Sequence, residues 1–203
     1  MKLSEMIEQL GEDETKIILS QFICPRNKDV EDFFKFKAIE FSKQGWAKTT
    51  LIYWQSDDQT ERYLVGYFTI SSKYICVSKD SVSNNLSKKL SKHGNYNSNT
   101  REYIVPAPLI GQLGKNYADG NDCIISGNDL LQMATDKVKE IQEEIGGKFV
   151  YLECEDKPGL IKFYENNGFT VFGKRRKDRD EIGVDGENLV QLLKYLKQET
   201  LRR

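Results

Sequence analysis

The chain of 203 residues has a single histidine, His93, and its four cysteines, Cys24, Cys76, Cys123 and Cys154, form no Cys-x-x-Cys pair. A Cys/His zinc site therefore has few possible ligands, and no metal is expected. Each cysteine lies in or near an apolar run and reads as a small buried hydrophobe with a reduced thiol. His93 sits in a polar stretch with no Gly-x-Ser-x-Gly elbow, which sets Ser-His hydrolysis aside. The absence of a Gly-x-x-x-x-Gly-Lys-Ser/Thr loop does the same for P-loop phosphoryl transfer. No apolar run approaches the ~20 residues that cross a bilayer. The opening Met1-Lys2-Leu3-Ser4-Glu5 lacks the apolar stretch of a secretory signal, so a cytoplasmic location is expected. Repeats, low-complexity tracts and proline-rich linkers are also missing.

What is present is the composition of a globular protein, with 38% hydrophobic and 30% charged residues, enough for one domain with a substantial core. A formal charge of −1 gives no overall attraction to nucleic acid. The charge is uneven, however. Lys174-Arg-Arg-Lys-Asp-Arg179 has a local charge of +4, and Lys88, Lys89 and Lys92 cluster before His93. Solvated surface is the preferred reading of both segments, with phosphate contacts to RNA as the alternative.

Ser4 is placed to cap a helix to Leu10, which Gly11 ends. Lys16–Cys24, rich in β-branched residues, reads as a strand. Val30, Phe33, Phe34, Lys37, Ala38 and Phe41 predict an amphipathic helix from about Lys28 to Gln44. Thr49–Trp54 and Tyr63–Ile70 read as a hairpin, with Ser71–Val77 as its extension or a separate strand. Ser78–Thr100 is polar and reads as an insertion with a short helix near Ser83–Ser91 and a mobile loop after it. Arg101–Leu113 is strand-like, but Pro106 and Pro108 call for an edge, a bulge or a splay. A helix over Asn128–Ile145, a strand at Phe149–Leu152, a helix over Lys157–Asn167 and a strand at Phe169–Phe172 follow. Leu189, Leu192, Leu193 and Leu196 fall on a helical stripe and predict a C-terminal helix over Glu187–Leu201. That stripe reads as packing on the domain, with a homodimer face as the alternative. The fold class expected is α/β, a mixed sheet with helices on both faces.

The segment Phe163-Tyr-Glu-Asn-Asn-Gly-Phe169 resembles the "FYE-x-x-GF" signature of the Gcn5-related (GNAT) acyltransferases. The run from Leu109-Ile-Gly-Gln-Leu-Gly114 through Asn128–Ala134 to Phe149–Leu152 resembles that superfamily's acetyl-CoA-binding half. Upstream, Phe22-Ile-Cys24, Val30–Phe34, Ala38 and Leu64–Thr69 are similar to the opening of its toxin-like branch. The resemblances cover about Lys16 to Lys174 and imply a single domain over 1–203, with a core of about 16–176, an insertion of about 78–100 and an extension from about 177. They also imply a sheet splayed between its central strands, which would accommodate the two prolines.

The activity implied is transfer of an acetyl group from acetyl-CoA to an amine: a small molecule, a peptide or the amino group of charged tRNA. Tyr164 is then the expected general acid, since a phenol of pKa ~10 is protonated at neutral pH. A packing role between helix and sheet is the structural alternative. Amides of Gln112, Leu113 and Gly114 would meet the oxyanion. Glu153 and Glu155 are the acidic candidates for deprotonating the amine, with water as a further option. The family's pyrophosphate loop, Gln/Arg-x-x-Gly-x-Gly/Ala, aligns with Asp122–Gly127, where Gly127 alone fits. Ile125, Ser126, Gly127 and Asn128 would supply the amides there, and Asn166 in the signature helix would be a further cofactor contact. Asp129 in the first helical turn would compete with a bound anion. Because of this departure, a non-catalytic GNAT-like binding module is kept as the alternative function.

Overall fold

A computed structural model describes residues 1–177 and 187–197. In chain order the elements are helices α1 (Leu3–Leu10) and α2 (Glu12–Ser20); a helix that runs as α3 (Lys28–Asp32), a π turn (Phe33–Lys37) and α4 (Ala38–Lys43); strands β1 (Lys48–Gln55), β2 (Arg62–Ser71) and β3 (Tyr74–Ser78); α5 (Asn84–His93); β4 (Asn95–Asn97), β5 (Glu102–Pro106) and β6 (Leu109–Lys115); a 3-10 segment (Ala118–Cys123); α6 (Gly127–Ile145); β7 (Phe149–Glu155); α7 (Pro158–Asn166); β8 (Thr170–Arg176); and β9 (Asn188–Tyr195). The α/β class expected from the sequence holds. Two compact units emerge, one of Met1–Ser71 with Ile110–Ala134, the other of Ser72–Leu109 with residues 135–177 and 187–197.

In the first unit β1 and β2 form the antiparallel hairpin, with Lys48 opposite Ile70 and Gln55 opposite Arg62. β6 follows β2 in the sheet. The β2–β6 pairing is antiparallel, since Asn116 N–H donates to the Val65 carbonyl at 2.9 Å while Gln112 N–H reaches Thr69 Oγ1 at 2.9 Å. Two glycines let helices close on this sheet. A Cβ on Gly66 would stand 2.8 Å from the Gly114 carbonyl oxygen and 3.4 Å from a Leu130 methyl. One on Gly114 would stand 2.4 Å from Val30 Cγ1. Successive side chains alternate across a sheet. Tyr67, the residue after Gly66, lies beside Gly114, so α6 and α3 press on opposite faces. The π turn inserts an extra residue and sends Phe33, Phe34 and Ala38 inward while Phe36 is left exposed. Phe34 then stacks on Tyr67 in the core with Phe22 edge-on to Tyr67, and Tyr67 Oη donates to the Val30 carbonyl at 2.6 Å.

The second unit holds β7, β9 and β8, antiparallel with β9 in the middle, and a three-stranded sheet ordered β3-β5-β4. Its core joins Ile75, Val77, Leu90, Tyr103, Phe149, Tyr151, Phe172 and Leu193. The polar stretch expected as a mobile insertion is ordered: Ser83 caps α5 through Leu86 N–H, and β4 pairs with β5. His93 packs its ring against Phe149 and Tyr195. The strand expected over Arg101–Leu113 is interrupted between Pro106 and Leu109, as its prolines required.

Further expectations fail. Ser4 does not cap α1: the N-cap is Lys2 and Ser4 lies within the first turn. Lys16–Cys24 is not a strand; its first part completes α2, with Glu12, Asp13 and Glu14 favouring the helix N-terminus. Only Thr15 and Leu19, one turn apart, are buried there, so the β-branched run misled. The expected C-terminal helix is likewise absent where it is described. Asn188–Tyr195 is a central strand whose neighbours cover both edges. Leu189, Val190, Leu192 and Leu193 are all buried, a near-continuous apolar run that no longer distinguishes a helical period from a strand. Spent inside the chain, these leucines do not present a dimer face. Residues 178–186 and 198–203, which include part of the basic run and the end of the expected helix, lie outside the described residues.

Candidate active site

The first unit carries the strand and loop residues singled out from the sequence. On β6, Gln112 and Asn116 turn their N–H groups toward β2. Amides alternate along a strand, so the Leu113 N–H points away from β2. The Gln112 side chain is engaged on the helix side, its Nε2 donating to Asp29 Oδ2 at 3.1 Å. Gly114 is the position that admits Val30. Asn116 fixes the chain as it leaves β6: its Oδ1 accepts from Ile23 and Ala118 N–H, and its Nδ2 donates to the Leu64 carbonyl. Sequence reading did not single out Asn116 or Asp29, since both act through partners distant along the chain.

The 3-10 segment turns through left-handed Asp119 and Gly120, with φ of 52° and 76°. Ile125 is buried, so the side chain standing in place of a family glycine is tucked into the core. Ser126 and Asp129 close the start of α6 on each other. Ser126 Oγ donates to Asp129 Oδ2 at 2.6 Å and accepts from Asp129 N–H at 3.1 Å, while Ser126 N–H reaches the same carboxylate oxygen at 3.3 Å. This is a reciprocal helix cap, and its Ser-x-x-Asp spacing is readable in the sequence. Gly127 and Asn128 follow in the first helical turn.

The second unit carries Tyr164, Glu153 and Asn166. α7 starts on Pro158, whose missing N–H suits a first helical turn, and the chain leaves it through Gly168 at φ 82°. Tyr164 lies on the inner face of α7, 9% exposed, with its ring edge-on to Phe163 and Phe169. Among the described residues no hydrogen bond reaches its hydroxyl. The one fully buried side-chain oxygen without a partner there is Thr49 Oγ1, so the phenol oxygen keeps a measure of access. Burial first, then the neighbouring Cys154, pushes the phenol well above its ordinary range and keeps it protonated. Burial, with Asp156 and Glu155 adding to it, also pushes the Cys154 thiol up to about 12, so it is no nucleophile.

Glu153 on β7 is held rather than free. Gln191, directly opposite on β9, donates to its Oε1 at 2.8 Å, and Arg175 on β8 donates to its Oε2 from Nε at 2.7 Å and from Nη2 at 2.6 Å. Accepting a proton from an amine would mean giving up that ion pair. Glu155 is paired with Lys157 at 2.9 Å. Asn166 is exposed at the end of α7. In the basic run, Lys174 and Arg175 are neutralised by Asp156 and Glu153. On α5, Lys89 covers the Tyr195 ring, while Lys88 and Lys92 are exposed. Cys24 and Cys154 are buried free thiols as expected, but Cys76 and Cys123 are exposed. No group of residues able to hold a metal ion occurs among the described residues, nor does a helix long and apolar enough to cross a membrane.

No protein-family model matches the chain, and no curated protein does either. Solved structures do. A bacterial toxin aligns over 88% of this chain and 83% of its own at 19% identity, with a TM-score of 0.58. A Tyr-to-Phe variant of KacT aligns over 89% of both chains at 16% identity, also with a TM-score of 0.58. AtaT, solved with acetyl-methionyl-tRNAfMet, aligns over 85% of both chains at 14% identity and a TM-score of 0.56. Likeness at such identities speaks for architecture, and the architecture is the one the Phe163–Phe169 signature resembled: the chain has the fold of the toxin-like GNAT proteins.

Proposed function

We propose that the protein is an acetyl-CoA-dependent N-acetyltransferase acting on an amine. The observation that carries the reading is Tyr164: a phenol nine-tenths buried, without a hydrogen-bond partner among the described residues, kept protonated by its surroundings and set in the signature helix. A hydroxyl packed only for its volume would ordinarily find a partner or be a phenylalanine. Acetyl-CoA, when bound, supplies the acetyl group as a thioester.

The chain's own residues then have distinct tasks. The Leu113 N–H, turned away from β2, is the donor for the oxyanion that forms when an amine attacks the carbonyl. Gln112 and Gly114 hold that part of β6 in place through Asp29 and Val30. Tyr164 holds the proton that the departing thiolate needs. Glu153, clamped by Arg175 and Gln191, acts as a positioning residue, which leaves the amine's proton to water.

At the diphosphate end Gly127 and Asn128 stand in the first turn of α6, but Asp129 shares that turn. This cap is what favours the second reading, a GNAT-like module that binds a partner without turnover. For the acceptor, the amino group of a charged tRNA is the first class to test, because AtaT was captured with acetyl-methionyl-tRNAfMet. Support from charge is modest, since two cations of the basic run are already paired.

Calorimetric titration with acetyl-CoA, followed by thiol release in the presence of aminoacyl-tRNA or of simple amines, tests the proposal. Heat on titration and amine-dependent thiol release are expected. No heat and no thermal shift at millimolar acetyl-CoA would move the protein to the second reading. Binding that stays flat between low and moderate salt would remove charged tRNA as the acceptor.

A further inference from the structure

Where α2 ends, β2 begins and β6 runs out, the first unit holds a cavity of about 430 Å³. That lies within the ~300–1,000 Å³ of small-molecule sites. Its walls are tied to one another by the chain itself. Asn116 Oδ1 accepts from Ile23 N–H at 3.0 Å, its Nδ2 donates to the Leu64 carbonyl at 2.8 Å, and Tyr117 N–H donates to the Ile23 carbonyl at 2.7 Å. Ile18, Ile23 and Leu64 supply apolar lining, and Arg62, Asp119 and Asn121 supply polar lining. Asn121 is 8% exposed, yet among the described residues its side-chain amide has no hydrogen-bond partner. Its amide atoms are not sealed off either, since Thr49 Oγ1 is the one fully buried side-chain polar atom there without a partner. The surface they keep is on the cavity that Asn121 lines. A buried amide is ordinarily satisfied by protein, water or a bound molecule. The two charges are also uncommitted. The Arg62 guanidinium lies over the Tyr53 ring, 4.1 Å from its centre, with a 3.9 Å contact to Met1 Sδ. Neither Arg62 nor Asp119 has an ion-pair partner among the described residues.

We infer that this cavity binds a free α-amino acid with an apolar side chain. Arg62 takes the carboxylate with its planar fork of donors. Asp119 takes the ammonium, and Asn121, donor and acceptor at once, bonds to either. Ile18, Ile23 and Leu64 receive the side chain. Ligands of one charge fit worse: a phosphate meets Asp119, and a simple amine meets Arg62. An uncharged ring would desolvate both charges and pair neither, which costs free energy. The oxyanion donor proposed above, the Leu113 N–H, points away from β2, whereas this cavity lies on the β2 edge of β6. The inference therefore concerns a second ligand and does not depend on acetyl transfer.

The test is calorimetric titration and thermal unfolding of the full chain with L-leucine, L-methionine and L-phenylalanine. At least one is expected to give heat and to raise the unfolding midpoint, because it binds the folded chain and not the unfolded one. The tightest of them is then compared with its analogues lacking the ammonium or the carboxylate, which for leucine are isocaproate and isopentylamine. Each analogue is expected to bind at least about tenfold more weakly, as loss of one charged hydrogen-bonding partner does. Arg62→Gln should lose the same factor, as should Asp119→Asn, in which asparagine accepts the φ of 52°. Asn121→Leu should also bind more weakly. Without ligand it should unfold at higher urea, since it removes an unpartnered buried amide. No binding of any of the three amino acids at millimolar concentration would overturn the inference. So would analogues that bind as tightly as their parent, the mark of a merely apolar cavity. An Asn121→Leu chain that is less stable and binds normally would show a structural amide and overturn it as well. Should the charge variants fail to fold, the analogue series on the wild-type chain decides by itself.

Discussion

Replacing Tyr164 by phenylalanine should separate stability from chemistry. The ring is 9% exposed and would keep its contacts with Phe163 and Phe169. Since no partner among the described residues holds the hydroxyl, its removal forfeits no hydrogen bond to them, whereas a partnered hydroxyl contributes ~1 kcal/mol. Unfolding free energy is therefore expected to stay within about 0.5 kcal/mol of wild type. The rate is another matter. A positioned general acid contributes ~10²- to 10⁴-fold, so kcat should fall by at least about 100-fold, which is ~2.7 kcal/mol of barrier. Acetyl-CoA affinity should not change, because the lost group acts on the leaving thiolate. Burial and Cys154 hold the phenol above its ordinary range, so the wild-type rate should not decline on the alkaline side up to about pH 10 through this group. Urea unfolding and single-turnover thiol release measure the two quantities. Equal rates in wild type and variant would refute the acid role. A loss of more than about 1.5 kcal/mol in stability would show a bonded, structural hydroxyl.

Glu31 should be a pH-dependent anchor for the start of α3. Burial alone would raise its pKa, but the Cys24 N–H at 2.8 Å, then Lys28 and Lys35, outweigh it and lower the carboxyl from 4.5 to about 2. A folded value below the unfolded one stabilises fully above pH 4.5 and loses that effect as pH falls toward about 2. Undiscounted, the shift corresponds to about 3 kcal/mol, and solvent screening through the exposed Lys28 reduces it to ~1–2 kcal/mol. Glu31→Gln should lose that amount at pH 7 in urea unfolding, and the gap to wild type should close between pH 4.5 and about 2; a gap that ignores pH would contradict the assignment. Gly114→Ala would bring a Cβ to 2.4 Å from Val30 Cγ1 and 3.2 Å from the Tyr67 ring. Overpacking of this kind costs ~1–3 kcal/mol, and adding Val30→Ala should restore part of it. A double variant no more stable than the additive sum would place the strain elsewhere.

Local signals in the sequence settled much of this protein. The short helix α5, the apolar stripe of α6, the span of α7 and the prolines that separate β5 from β6 all rest on signals within a few residues, so their outcome was legible in advance. The signature that set Tyr164 on a short helix is of the same kind. Local patterning failed at α2 and β9 because a short apolar or β-branched run satisfies either period once both of its sides are covered, and only the neighbours decide which.

Tertiary structure alone decided the state of the site residues. Glu153 reads as a free acid until β9 and β8 bring Gln191 and Arg175 to it, and the Gln112 amide reads as an oxyanion donor until β2 brings Thr69 Oγ1 to it. The sequence determined which chemical groups each element carries, because capping and periodicity act within a turn or two. Which of those groups are already satisfied depends on partners dozens of residues away. Their approach is set by sheet register and by how closely helices press on Gly66 and Gly114, and no local pattern encodes that distance.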